Sequence, residues 1–358
     1  MTQLIKTFFE LIKVDSPTGE EMAVAELVVR KLAEMGIIAN IDGVGNVLAR
    51  VPGREGREIM LLCAHLDTVE PGRGIEPVLH SDGTIYSKGK TILGADNKAA
   101  LAVILEAVRE LSKNGFRENH PLDLVFSVGE EAGSRGTHGL DYGWLRAKRG
   151  YIFDASDGEV GDIEVASPFY NRLDIRIRGK AAHAKDPELG VSVLEILTKA
   201  LSGVGLGRVS ENTLVNLGLV KMGTGVNVVP GEAEILGEVR SYHEGELAEI
   251  TEKIFGVFKN EAKRTGIEVE TRAERENSGY VYDEKDDFVV ETVSKLENIG
   301  LTPKLLEVWG CSDANIFAEH GLKVLNIVDG GRDSHTVNEE VTMEELNRLQ
   351  EVVLGLVK

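Results

Sequence analysis

Two acidic residues stand side by side at Glu130 and Glu131, directly after the apolar run LDLVFSV (residues 122–128), which reads as a buried strand. Adjacent carboxylates at the end of such a strand repel one another, so either water or a cation must make the arrangement tolerable. Other polar residues stand in equivalent places. His65 and Asp67 follow EIMLLCA, Asp154 follows GYIF, His335 follows KVLNIVDGGRDS, and Asp96 opens a helix after ILGA. Open α/β sheets bind ligands beyond the carboxyl ends of their strands. Two histidines and several carboxylates gathered there suit a divalent metal, and two ions better than one. Imidazole mixed with carboxylate suits zinc, manganese or cobalt better than calcium. One carboxylate can bridge two ions about 3.5–4 Å apart, the geometry of two-metal hydrolases. Asp67 lies two residues from His65, on the same face of an extended segment, where it can orient the imidazole through its other nitrogen. Neighbours on an extended segment point opposite ways, so one glutamate can bind metal while the other handles protons.

Each feature alone has a plainer reading. His-X-Asp after a strand can be a turn, Glu-Glu a solvated loop, Asp96 or Asp154 a cap, and His335 part of a polar turn with Asp333 and Ser334. Taken together, in this order and at one edge of one sheet, they read as a metal site.

The elements that must position these residues alternate. Thr18 and Glu21 have capping-box spacing for a helix running to Gly36. Strands are expected at residues 37–42, 46–51, 58–65, 122–128 and 150–154, with a helix at 97–115. Short apolar runs alternating with helices argue an α/β fold with a mainly parallel sheet covered on both sides. The pattern then changes. NRLDIRIRGK (171–180) alternates apolar and polar residues, as a half-exposed strand does. A helix near 190–202, strands near 213–221 and 232–241, a helix at 244–265 and a strand at 267–273 follow, giving the β-α-β-β-α-β order of a ferredoxin-like α+β layout. A helix at 286–298, a strand at 323–328 and a helix at 342–357 resume the first pattern. The expected organisation is therefore a discontinuous catalytic domain, 1–166 and 278–358, with 167–277 inserted into it.

At 358 residues the chain is long enough for two domains. A net charge of −19 makes nucleic acid and anionic membrane surfaces poor partners for the bulk of the surface. No stretch approaches 18 apolar residues, so no membrane span is expected. The N-terminal stretch MTQLIKTFFELIKVDSPTGEE reads as a first helix rather than a signal peptide. Cys63 sits in an apolar run and reads as a buried free thiol, which fits a reducing, cytoplasmic location. Neither GxxxxGK[ST] nor GxGxxG opens a helix, so the glycine-rich loops are not phosphate cradles.

The ordered set of HLDTVEPGRGIEP, TILGADNKAALA, FSVGEEAGSRG, FDASDG, GKAAHAKDPELGVS, GTGVNVVPGEAEILGEVRSY, GCSDANIF and SHTVNEE resembles the zinc-dependent M20 metallopeptidases, within them the peptidase T-like (tripeptidase T) branch. The resemblance covers nearly the whole chain. It implies two divalent ions, zinc above manganese or cobalt, with His65 and Asp154 on the first, Glu131 and His335 on the second, and Asp96 bridging. It implies that Glu130 deprotonates the bridging water and then protonates the leaving amine, and that Asp67 orients His65. It further implies that 167–277 is a lid and homodimer surface, that His183 stabilises the oxyanion, and that Asn227 and Arg240 receive substrate polar groups. Plainer readings make His183 and Asn227 turn residues and pair Arg240 with a glutamate on its own sheet. Asn97 stands where that branch often has aspartate, at a peptide bond often cis; Lys185 and Cys311 replace glycines. The expected activity is release of the N-terminal residue from short peptides. The alternatives are an M20-type carboxypeptidase or dipeptidase, an N-acyl amino acid deacylase, or a metal- or peptide-binding protein without turnover.

Overall fold

The computed structural model describes residues 1–155 and 158–358. Ser156 and Asp157, within the FDASDG stretch, lie outside the described residues. The chain divides into two compact units, Met1–Val165 with Tyr282–Lys358, and Ala166–Val281.

The sheet of the first unit runs in the spatial order Ala39–Ile41, Val47–Val51, Leu122–Ser127, Met60–His65, Arg149–Ala155, Lys323–Val328, Ile163–Ser167. Its central pairings are parallel: Met60–His65 lies between Leu122–Ser127 and Arg149–Ala155, and Lys323–Val328 follows. The flanking pairings are antiparallel. The four parallel strands therefore end at one edge, and that edge carries the chemistry-bearing residues. Every residue of Met60–His65 and Leu122–Ser127 is buried, as expected for strands covered on both faces.

The helix Ala95–Ser112 is buried almost all round, because AALAVILEAV offers no polar stripe. It packs against Gln3–Ile12, Met343–Val357 and the strand Met60–His65. The helix Met22–Glu34 ends as expected, with Gly36 at φ 75°. Its start differs. Glu21 is the N-cap residue and makes no side-chain cap. The Thr18 hydroxyl donates instead to Asp67, and Glu21 accepts from the backbone of Gly19 and Gly129. The two residues with capping-box spacing serve the loops at the sheet edge, where stronger acceptors and buried N–H groups compete for them.

The second unit is an antiparallel sheet in the order Gly207–Arg208, Thr213–Met222, Glu232–Ser241, Phe169–Arg178, Glu268–Asn277. Alternation in the sequence becomes alternation in burial: Leu173, Ile175 and Ile177 are buried, while Arg172, Arg176 and Arg178 are exposed. The helices Val193–Gly203 and Glu244–Thr265 cover the apolar face, with Ile196, Phe255 and Phe258 meeting Ile235 and Val239 in one core.

Candidate metal centre

His65 ends the strand Met60–His65 and is 1% exposed. Its Nδ1 lies 3.0 Å from the Asp67 carbonyl oxygen and 3.4 Å from Asp67 Oδ1. Donation from Nδ1–H leaves Nε2 as the ligand atom of the neutral ring. That Nε2 faces Asp96 Oδ1 at 3.0 Å and Asp154 Oδ1 at 3.6 Å. His335 Nε2 faces Glu131 Oε1 at 2.8 Å and the other Asp96 oxygen, Oδ2, at 3.2 Å. The five residues thus form two sets that share Asp96.

The two glutamates are not on an extended segment. Gly129, at φ 63°, ends the strand, and Glu130–Ala132 forms one turn of 3₁₀ helix. At three residues per turn, successive side chains still leave in different directions. The buried Asp67 holds the turn by accepting from Glu130 N at 3.0 Å and Glu131 N at 3.2 Å. Sequence reasoning gave Asp67 the histidine and missed this contact with the glutamates. Burial alone would raise the Asp67 carboxyl; bonds from His65, Thr18 and Glu130 outweigh it and hold it below its ordinary value.

The electrostatics ask for a cation. Burial and neighbouring charge push Glu130 well up, and burial takes Glu131 to about 7 and raises Asp154. Asp96 also pays for burial, but hydrogen bonds from His335 and His65 hold it low. His335, bonded to Asp96, rises to about 9. Ligand atoms of His65, Asp96 and Glu131 lie within 4.8 Å of one another, as do those of His65, Glu130 and Asp154. Two imidazoles facing carboxylates in a buried pocket fit a divalent ion, whose charge would restore the ionised carboxylates.

Supports for these residues were not all visible in the sequence. Asp96 and Asn97 open the helix Ala95–Ser112 with non-helical dihedrals, and their peptide bond is cis. Asn97 Nδ2 donates to Asp154 Oδ1 at 3.1 Å and to the Phe153 carbonyl. Glu339 is buried and accepts from Gly94 N at 2.7 Å and Asp96 N at 2.9 Å. It directly precedes Glu340–Thr342, which pairs with Thr84–Ser87 in a small sheet absent from the sequence reading. Asn326, polar within KVLNIV, accepts from Asp154 N at 3.0 Å and donates to the Asp154 carbonyl at 2.9 Å. Asp313 is buried and was not foreseen, accepting from Thr137 Oγ1 at 2.6 Å and from the Ser127 hydroxyl. The signals were Glu339 inside SHTVNEE, an asparagine in an apolar strand, and an aspartate opening the apolar helix Asp313–Glu319.

His335 and Asp333 have left-handed backbones, at φ 64° and 52°. That conformation costs a non-glycine residue about 1–2 kcal/mol, and the contacts of His335 with Glu131 and Asp96 offset it. A cavity of about 270 Å³ opens at the same edge, lined by Asp96, Glu130, Glu131, Asp154 and His335 together with Glu164, Cys311, Ser312 and Asn326.

In the second unit, the expected substrate-handling residues fall in different surroundings. His183 and Asn227 are exposed. Ala182–His183 pairs with Val228–Val229, and the Ala184 N–H donates to the Asn227 carbonyl. His183 Nδ1 accepts from Lys185 N at 3.1 Å. Arg240 Nη2 lies 3.0 Å from Glu238 Oε2, and its guanidinium covers Tyr170 at 4.6 Å.

The model of Peptidase family M20/M25/M40 matches residues 61–358. The chain is 34% identical to the uncharacterised protein YqjE of Bacillus subtilis over 99% of this chain and 98% of that protein. It is similar to the crystal structure of aminopeptidase PepT from Bacillus cereus, with TM-score 0.95 and 34% identity over 99% of this chain and 97% of that one. A tripeptidase structure from Staphylococcus aureus has TM-score 0.95 and 31% identity over the same shares, 99% and 97%. With its family match and its edge of paired imidazoles and carboxylates, the chain belongs to peptidase family M20/M25/M40.

Proposed function

We propose that this protein is a dinuclear metal-dependent exopeptidase that releases the N-terminal residue from short peptides, tripeptides among them. One observation carries the reading. The two carboxylate oxygens of Asp96 face two different imidazoles, His65 and His335, and each imidazole faces a second carboxylate of its own, Asp154 or Glu131. Two cations with Asp96 between them would use all five residues and leave Glu130 outside the ligand set. Zinc suits this donor set best, with manganese and cobalt close to it. Bound divalent cations supply Lewis acidity, polarising the scissile carbonyl and acidifying a nearby water.

The chain's own residues do the rest. The Glu130 carboxylate takes a proton from the attacking water and returns one to the leaving nitrogen, a role worth roughly 10²- to 10⁴-fold. Asp67 fixes the turn that carries it and orients His65. We assign the second unit the role of lid and homodimer surface. With Nδ1 accepting from Lys185, the neutral His183 ring carries its proton on Nε2, the form that can donate to an oxyanion. Asn227 and Arg240 would receive the substrate's polar groups, Arg240 at the expense of its pairing with Glu238. The two free thiols, Cys63 and Cys311, suit a reducing compartment, and we assign the protein to the cytoplasm.

The test offers the zinc- or manganese-loaded protein an unblocked tripeptide, its N-acetyl form and an N-acetyl amino acid, with products read by mass spectrometry. Release of the N-terminal residue from the unblocked peptide alone is the expected result. Cleavage of the acylated compounds, or loss from the C-terminus, would assign the protein to the deacylase or carboxypeptidase activities instead.

A further inference from the structure

We propose that Asp313 is a positioning residue: it clamps both ends of the loop that carries Glu130 and Glu131, and so sets where the proton-transfer group and the neighbouring metal ligand stand. It rests on the roles given to Glu130 and Glu131 in the exopeptidase reading above.

The loop leaves the strand Leu122–Ser127 and ends in the short helix Arg135–His138. Each end offers a buried hydroxyl, Ser127 before the glutamates and Thr137 after them. One carboxylate takes both. Asp313 Oδ2 accepts from the Ser127 hydroxyl, and Asp313 Oδ1 accepts from Thr137 Oγ1 at 2.6 Å. The Ser134 carbonyl is also within reach of the Thr137 hydroxyl, at 3.0 Å; the shorter bond, to a charged oxygen, is the stronger. Asp313 is 1% exposed. A buried carboxylate is costly unless its oxygens are used, and here each oxygen is used on a different end of one loop.

Backbone bonds close the neck of the loop: Gly136 N donates to the Val128 carbonyl at 2.7 Å and Arg135 N to the Gly129 carbonyl at 3.0 Å. Closure alone does not fix where the neck sits at the sheet edge. Two side chains do so from two sides. Asn46 Oδ1 accepts from Val128 N at 3.1 Å and Asn46 Nδ2 donates to the Gly136 carbonyl at 2.9 Å; Asn46 precedes the strand Val47–Val51, which pairs on one side of Leu122–Ser127. Asp313 Oδ2 lies 4.0 Å from Cys63 Sγ, on the strand Met60–His65, which pairs on the other side. Asp67 holds the tip through Glu130 N and Glu131 N. Of these three supports, Asp313 is the one joined to the cavity wall: Gly310, Cys311 and Ser312, directly before it, line the same cavity as the two glutamates. The clamp keeps the glutamates in register with that part of the wall. Register matters because a misplacement of about 1 Å can cost on the order of 10²-fold in rate.

The test removes both tethers with Asp313→Ala, at a temperature where circular dichroism shows the variant folded. On an unblocked tripeptide kcat should fall roughly 10- to 100-fold with KM within about threefold. Titration of the metal-free protein with zinc should show affinity about tenfold weaker, because Glu131 rides the same loop. Asp313→Asn can accept from one hydroxyl and donate to the other, and should recover most of both losses. A residue that only stabilises the fold would shift the denaturation midpoint and leave kcat and zinc affinity of the folded variant at wild-type values. That result would overturn the proposal, as would an asparagine variant no better than alanine. If wild type does not cleave the unblocked tripeptide, the exopeptidase reading fails and the zinc titration alone decides on Asp313. Should Asp313→Ala not fold, Thr137→Val removes one tether. It should lose about 3- to 10-fold in kcat and in zinc affinity, the value of one hydrogen bond, and wild-type values there would overturn the proposal.

Discussion

Replacing Asp67 by asparagine should damage stability and activity together. The carboxylate is fully buried, and both of its oxygens are used: Oδ1 by Glu130 N, Oδ2 by Glu131 N and the Thr18 hydroxyl. An amide keeps one acceptor oxygen and turns an NH₂ toward the remaining backbone N–H. Stranding one buried N–H costs about 1–3 kcal/mol. Removing the negative charge opposite His65 adds to this, because that charge is favourable enough to hold the carboxyl below its usual range despite burial. A total of about 2–4 kcal/mol is expected, a large part of the ~5–15 kcal/mol that typically separates folded from unfolded states. The glutamate turn loses a tether at the same time, so kcat/KM should fall about 10- to 100-fold, as for other groups that orient metal ligands. Urea denaturation of both metal-loaded proteins gives the first quantity, and tripeptide hydrolysis the second. A variant within about 0.5 kcal/mol of wild type, the usual effect of a neutral surface change, and with undiminished kcat/KM would refute the reasoning.

Chelation of the metal should lower Tm by roughly 5–10 °C relative to protein in metal at about a hundredfold over Kd, from ~2.7 kcal/mol of linkage and ~2–4 °C per kcal/mol, with far-ultraviolet dichroism retained; scanning calorimetry reads it. Glu339→Gln should weaken metal affinity about tenfold by removing one of the two carboxylate oxygens that accept from the Gly94 and Asp96 backbone N–H groups, as metal titration would report. Asp313→Ala should cost about 2–4 kcal/mol in denaturation by stranding the Ser127 and Thr137 hydroxyls, while Asp313→Asn, which can still pair with both, should recover most of it.

The clustering of these imidazoles and carboxylates was legible because each follows an apolar strand or opens a helix, and parallel strands deliver their carboxyl ends to one edge. His65, Asp96, Glu131, Asp154 and His335 are hundreds of residues apart at the extremes, yet the strand ends, the loops that follow them and the start of one helix bring them together. The alternating run before Gly179 likewise announced a half-exposed strand. What supports the ligands was less legible. Glu339, Asn326 and Asp313 act through long-range contacts to backbone or hydroxyl groups, which leave no periodic trace in the sequence. Local rules failed where tertiary partners outbid them. Thr18 had capping-box spacing, but its hydroxyl went to Asp67. The two glutamates were expected on extended backbone, but Gly129 and the Asp67 carboxylate coil them into a turn. The strand Ile163–Ser167 and its Glu164 were missed because five residues between glycine-rich and proline-containing loops gave too short a signal.

The most direct test of the account combines metal content and turnover in one sample of Glu130→Ala. In the proposed reading Asp96 is shared between two imidazoles and Glu130 is left to move protons. The variant should therefore retain two divalent ions per chain by elemental analysis and lose roughly 10²- to 10⁴-fold in kcat on an unblocked tripeptide. Two ions with near wild-type kcat would contradict the proton-transfer role; loss of an ion would make Glu130 a ligand and contradict the division of labour between the paired glutamates.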